Sequence, residues 1–224
     1  MAMLGGLPLI VRVVKQARKA TILDDVIVAT DDQRIADAVK SYGGDAVVTP
    51  GRFACGSDRI AFVAKGKRAD VVVNIQGDEP MIAPEVIMKV ANLLIDNPRA
   101  VMSTACSRIT SLHDATNPDV VKVVMAKDGR ALYFSRGLIP WHDSTMYDSA
   151  PVFRHIGIYG FTAEFLQIFA SLERTPLEKI EGLEQLRALE HGHNIHCIKT
   201  QQVFSGIDSQ EDLFRAEKML ENLR

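Results

Sequence analysis

The segment Val71-Val72-Val73-Asn74-Ile75-Gln76-Gly77-Asp78-Glu79-Pro80 runs an apolar, β-branched stretch into a glycine and two carboxylates. In an open parallel sheet, ligands gather where strands finish at their carboxyl ends. Gly77 allows backbone geometry or close approach that other residues resist, and Pro80 stops the strand, so Asp78 and Glu79 are expected at the edge of a cleft. Carboxylate oxygens at such a mouth suit Mg²⁺ and the phosphates it carries. The competing reading is a polar turn with no ligand.

Three other polar clusters fall where strands should end. Val28-Ala29-Thr30-Asp31-Asp32 closes one strand, with Asp31 or Asp32 available either as a ligand or as a helix cap. Ala54-Cys55-Gly56-Ser57-Asp58-Arg59 joins a turn to a hydroxyl, a carboxylate and a guanidinium. Gly206-Ile207-Asp208-Ser209-Gln210-Glu211 sets Asp208 before the last helix with Glu211 three residues on, a capping arrangement that leaves lone pairs for a metal. Phe134-Ser135-Arg136 followed by Ile139-Pro140-Trp141 supplies a guanidinium for forked recognition of a carboxylate or phosphate and an indole able to cover a sugar; the alternatives are a surface ion pair and a core anchor.

The elements that must position these groups alternate regularly. Strand-like runs at 25–29, 46–48, 71–75 and 101–105 are separated by helical spacing such as Ile35/Ala38/Val39/Tyr42 and Val86/Val90/Leu93/Leu94. This predicts an α/β fold of crossover units with a mostly parallel sheet. The runs 120–126, 130–134 and 155–161 have little helix between them and predict a mixed or antiparallel insertion. Stripes at Leu183/Leu186/Leu189 and Leu213/Ala216/Leu220/Leu223 return to helix. The segment 141–151 reads as a polar loop, and with no repeat or linker the chain is expected to form one domain over residues 1–224.

Composition narrows the function classes. With 224 residues, 47% apolar and 24% charged, the chain can build a substantial core. A net charge of −2 leaves no broad footprint for nucleic acid or an anionic membrane, so an anionic substrate must be met locally. No apolar run approaches the roughly 20 residues that span a bilayer, and the first residues lack the features of a signal peptide, so a cytoplasmic location is expected. Cys55, Cys106 and Cys197 lack paired zinc spacing, and Glu190-His191-Gly192-His193-Asn194 reads as a helix-to-strand turn despite its histidines.

Taken in order, these pieces resemble 3-deoxy-manno-octulosonate cytidylyltransferases over essentially the whole chain. The resemblance is carried by Val28-Ala29-Thr30-Asp31, Gly56-Ser57-Asp58-Arg59, Gln76-Gly77-Asp78-Glu79-Pro80, Val121-Lys122-Val123-Val124, Tyr133-Phe134-Ser135-Arg136, Ile139-Pro140-Trp141, Arg154-His155-Ile156-Gly157-Ile158-Tyr159 and Leu183-Glu184-Gln185-Leu186-Arg187. Gln-Gly-Asp alone is shared by several nucleotidyltransferases; the combination is far more specific.

The resemblance implies a Rossmann-like nucleotidyltransferase fold (nucleotide-diphospho-sugar transferase type), usually a homodimer, that joins CMP from CTP to the sugar acid 3-deoxy-manno-octulosonate (Kdo) and releases pyrophosphate, for lipopolysaccharide assembly. It implies Mg²⁺ held by Asp78 and Asp208. Thr30, Asp31, Ser57 and Arg59 would line the cytidine side, while Gln76, Arg136, His155, Tyr159, Glu184 and Gln185 would hold Kdo. The runner-up substrate is an N-acylneuraminate, against which Ile-Pro-Trp and Leu-Glu-Gln-Leu-Arg argue; the other alternative is an impaired remnant that binds sugar acid or dimerises. The family opens with a strand and a basic, phosphate-gripping loop, whereas Met3-Leu4-Gly5-Gly6-Leu7-Pro8-Leu9-Ile10 resembles the segment after that loop, with Leu7 where lysine is usual. The expectation is therefore weak CTP binding and a sheet with an unfilled central slot.

Overall fold

The structure, a computed structural model, describes residues 2–141, 151–201, 206–207 and 210–222. The sequence expectations for Asp208, for most of the polar loop (142–150) and for Leu223 lie outside the described residues. The chain opens with a small antiparallel pair, β1 (Met3–Leu4) and β2 (Leu7–Pro8), leading into α1 (Leu9–Ala17). Then β3 (Ile27–Thr30), α2 (Gln33–Ser41) and β4 (Asp45–Val48) make a crossover unit whose strands pair in parallel. Asp32 caps α2 by accepting the Arg34 backbone N–H at 2.8 Å, which turns the chain sharply at the carboxyl end of β3.

A second crossover begins with α3 (Gly56–Ala64), β5 (Val71–Ile75), α4 (Pro84–Asp96) and β6 (Met102–Arg108). After α5 (Leu112–Thr116), the chain forms β7 (Lys122–Met125), β8 (Ala131–Ser135) and the long β9 (Phe153–Thr162). Helices α6 (Ala163–Ser171), α7 (Pro176–Glu181) and α8 (Leu186–Glu190) precede β10 (Ile195–Thr200), and α9 (Gln210–Asn222) comes last. Helix thus starts at Leu186, with Leu183 in the preceding turn, because Gly182 adopts a left-handed conformation at φ 65° and ends α7.

The α/β class holds, and the antiparallel part runs through the middle of the larger sheet. Among the described residues its order is β10-β6-β9-β7-β8, with β5 also paired to β9. One edge of β9 carries β6; the other carries β5 along Ile158–Thr162 and then β7 at Phe153–Arg154. Gly157 lies where the partner changes, and a register shift against β6 falls beside it, between Thr104 and Ala105. The Thr104 hydroxyl steadies this irregularity by donating to the Ile158 carbonyl at 2.7 Å.

Apolar side chains on both faces fix the layers. Val86, Ile87 and Val90 of α4 pack with Ile156 and Ile158 of β9, while Phe134, Phe161, Phe165 and Phe169 form a second core with Leu186. The β3–β4 pair does not join the larger sheet among the described residues. Among the described residues β3 pairs only with β4, and β5 only with β9. Between β3 and β5 lies a cavity of about 1150 Å³, lined by Val28 and Val72 from the facing strands, Val13 of α1 and Leu94 of α4.

Candidate functional site

Gln76-Gly77-Asp78 comes directly after the last residue of β5, and Gln76 and Asp78 line a cleft of about 670 Å³. The opposite wall comes from the turn between α7 and α8, and the back from β9. Alternation along β9 sends His155, Gly157 and Tyr159 to the cleft. A Cβ at position 157 would stand 3.3 Å from Gln76 Cγ, so the glycine lets β9 and the Gln76 side chain approach.

Of the six residues expected to meet the sugar, all line this one cleft: Gln76, Arg136, His155, Tyr159, Glu184 and Gln185. The Tyr159 hydroxyl donates to Gln185 Oε1 at 2.9 Å, fixing the amide. Gln185 is 1% exposed, and its Nε2 has no partner among the described residues. A buried amide donor left open at a cleft wall is suited to a ligand oxygen. His155 contacts Thr104 Oγ1 through Nε2 at 2.9 Å, and burial pushes its pKa down to about 3, so the ring is neutral at physiological pH. Burial likewise raises the Tyr159 pKa, keeping the phenol protonated.

Glu184 has a structural partner as well as a place in the cleft. Its Oε2 accepts the Ser57 backbone N–H at 3.1 Å, at the start of α3, and burial raises its pKa above the usual carboxylate range. Nearby, Arg187 is 1% exposed and forks onto Glu178 at 3.0 and 2.8 Å while a third nitrogen reaches Asp58 at 2.8 Å. Burial alone would raise the Glu178 carboxyl, but the bonds from Arg187 and Arg174 outweigh it and hold the pKa low. Sequence reasoning did not single out Glu178, Glu181 or Arg174, since acids and bases at helical spacing look like an ordinary solvated face.

The expected nucleotide side is held differently. Arg59 forks onto Asp31 with both bonds at 3.0 Å, and this contact lowers the Asp31 pKa. Thr30 is buried, with its hydroxyl accepting the Asp32 N–H. Ser57 is fully buried and accepts from Asn74 Nδ2 at 3.1 Å. The Arg59–Asp31 and Asn74–Ser57 contacts tie α3 to the ends of β3 and β5. Trp141 is 83% exposed, which excludes the core-anchor reading.

Asp78 has the setting its sequence predicts, at a strand end beside a helix approach. Its backbone carbonyl accepts the Ile207 N–H at 2.8 Å, and a Cβ on Gly206 would come within 3.0 Å of Asp78 Oδ2. The 206–207 segment therefore lies against Asp78. Among the described residues no group of three or more His, Cys, Asp or Glu forms a metal cluster. Mg²⁺ does not require one, since it is commonly held by one or two carboxylates together with substrate phosphates. No helix among the described residues is long and apolar enough to cross a membrane.

Comparison with known proteins adds a family to this geometry. A family model described as cytidylyltransferase matches residues 1–195. The 3-deoxy-manno-octulosonate cytidylyltransferase of Pelobacter propionicus is 42% identical over 227 aligned positions, covering 97% of this chain and 89% of that relative. The protein of the same name from Desulfosudis oleivorans is 43% identical, covering 100% and 91%. A solved structure of CMP:2-keto-3-deoxy-manno-octonic acid synthetase complexed with CTP superposes with a TM-score of 0.92 at 33% identity, covering 100% of this chain and 91% of that one. The 4-diphosphocytidyl-2C-methyl-D-erythritol synthase of Anaerococcus prevotii shares the fold alone, with a TM-score of 0.66 at 13% identity.

Proposed function

The chain belongs to the cytidylyltransferase family, and on that premise we propose that it transfers CMP from CTP to Kdo, giving CMP-Kdo and pyrophosphate. The observation that carries this reading is the single cleft bounded by Asp78 on one wall and by Arg136, Glu184 and Gln185 on the other. It pairs a phosphate-side carboxylate with a cation and neutral donors suited to a sugar acid.

In the reaction, the anomeric hydroxyl oxygen of Kdo bonds to the α-phosphorus, the bond to the β-phosphate oxygen breaks, and the hydroxyl proton leaves to solvent. Arg136 holds the Kdo carboxylate, while Gln76, the Gln185 amide and the neutral His155 exchange hydrogen bonds with ring hydroxyls. Because His155 and Tyr159 are held uncharged by burial, they orient the sugar without competing for its carboxylate. Thr30, Asp31, Ser57 and Arg59 belong to the cytidine side, chiefly by fixing the α3 terminus. Asp78 and Asp208 would be the residues to hold Mg²⁺, which would supply neutralisation of phosphate charge. The packing of Gly206 and Ile207 against Asp78 supports that pairing. We place the enzyme in the cytoplasm as a homodimer.

The test is pyrophosphate release with Kdo and Mg²⁺ across CTP, UTP, ATP and GTP. CTP should be strongly preferred; equal rates with UTP would refute the cytidine assignment. Replacing Kdo by N-acetylneuraminate should leave little product, and preference for it would transfer the assignment to that sugar.

A further inference from the structure

Arg136 is pinned from several directions by one residue that carries no part of the sugar site. Glu181, the last residue of α7, accepts the Arg136 backbone N–H through Oε2 at 2.9 Å, and its own backbone carbonyl accepts Arg136 Nε at 2.9 Å. The same carboxylate takes the Ser135 hydroxyl at 2.7 Å, with the Tyr133 hydroxyl at 3.4 Å. Three of the four residues in Tyr133-Phe134-Ser135-Arg136 therefore converge on Glu181. From the other side, the buried Lys122 ammonium donates to the Arg136 carbonyl. Arg136 Nη1 donates to the Pro118 carbonyl at 3.1 Å, while Nη2 has no hydrogen-bond partner among the described residues.

We infer that Glu181 is a positioning residue for sugar-acid recognition: it fixes Arg136 so that one face of its guanidinium is presented, already ordered, to the substrate carboxylate. The inference rests on the proposed role of Arg136. An arginine free to rotate must be immobilised when it binds, whereas one already held by its backbone N–H and its Nε loses little further freedom. Glu181 thereby acts on Kdo affinity without touching Kdo, and the CTP side, built on α3 and Asp78, lies outside its contacts.

The experiment measures KM for Kdo, KM for CTP and kcat in Glu181→Ala, Glu181→Gln, Arg136→Ala and the double variant Glu181→Ala/Arg136→Ala, with Kdo binding measured by calorimetry alongside. Glu181→Ala keeps the backbone carbonyl that accepts Arg136 Nε but removes the carboxylate that holds the Arg136 N–H and the Ser135 hydroxyl, so partial loss of pre-ordering should raise the Kdo KM by about three- to five-fold. CTP KM and kcat should stay within about two-fold, the scale of a change that spares the transition state. Glu181→Gln, which keeps one acceptor oxygen, should lie between the wild type and alanine. The double variant should be no worse toward Kdo than Arg136→Ala. An unchanged Kdo KM in Glu181→Ala, in a protein whose Arg136→Ala variant is impaired, would overturn the positioning role alone; so would additive losses in the double variant. An unimpaired Arg136→Ala would overturn the carboxylate role itself.

Discussion

Asp78 and His155 show how position sets the work a side chain can do. Asp78→Asn keeps volume but removes the negative charge, and the same holds for Asp208→Asn. Each should lower kcat by at least about a hundred-fold, the scale of losing one preorganised electrostatic contact in an active site, with the circular-dichroism spectrum unchanged. Near-normal turnover at saturating Mg²⁺ would reduce that carboxylate to a turn residue. His155 has its folded pKa pushed down to about 3 from an ordinary 6.5. Between those values the unfolded chain binds the extra proton, so the contribution of His155 is fully present above pH 6.5 and is lost as pH falls toward 3. Stability measured by denaturant melts should decline across this window, and His155→Gln should flatten the decline. An equal slope in both proteins would show that other groups dominate the acid limb.

At the scale of elements, the site depends on how α8 is attached to α3. The backbone of Ser57 and the side chain of Asp58, both in the first turn of α3, bond to Glu184 and Arg187 respectively. Arg187 also stacks over Phe169 of α6 at 4.7 Å, so one buried cation joins α3, α6, α7 and α8. Removing it leaves the buried Glu178 with the half-exposed Arg174 and the Thr175 backbone N–H as its remaining partners among the described residues. Arg187→Met should therefore cost about 3–5 kcal/mol, as broken buried pairs do, seen as a fall in the denaturation midpoint. A loss below about 1 kcal/mol would place the cluster in the class of solvent-screened pairs.

At the scale of the whole molecule, the open slot between β3 and β5 leaves strand edges without ladder partners among the described residues. The carboxyl end of β5 leads to the cleft through Gln76. Appending a strand followed by a basic loop to the amino terminus should fill the slot and raise the thermal midpoint by at least about 5 °C, roughly 2 kcal/mol for a chain of this size. It should also tighten CTP binding, since charge-assisted bonds to phosphate contribute about 1.5–3 kcal/mol each. Comparable calorimetric melts and CTP affinity in both proteins would mean that another part of the chain already serves as the phosphate site.

Much of this was readable in the residues themselves. The run Val71–Ile75 ending at Gly77 specifies a strand and its termination through local sterics, and the alternation of His155, Gly157 and Tyr159 assigns them to one face. The tertiary structure decided what local rules do not reach: that β9 changes partner at Gly157 and opens the cleft there, that Ser57 and Glu184 meet across the site, and that Glu181 and Glu178 are clamps. The partners in these contacts lie 45 and 127 residues apart for Arg136–Glu181 and Ser57–Glu184. A carboxylate on a helix looks the same in sequence whether water or a buried guanidinium satisfies it; packing brings the partner, and the cost of leaving a buried charge unpaired makes the contact obligatory.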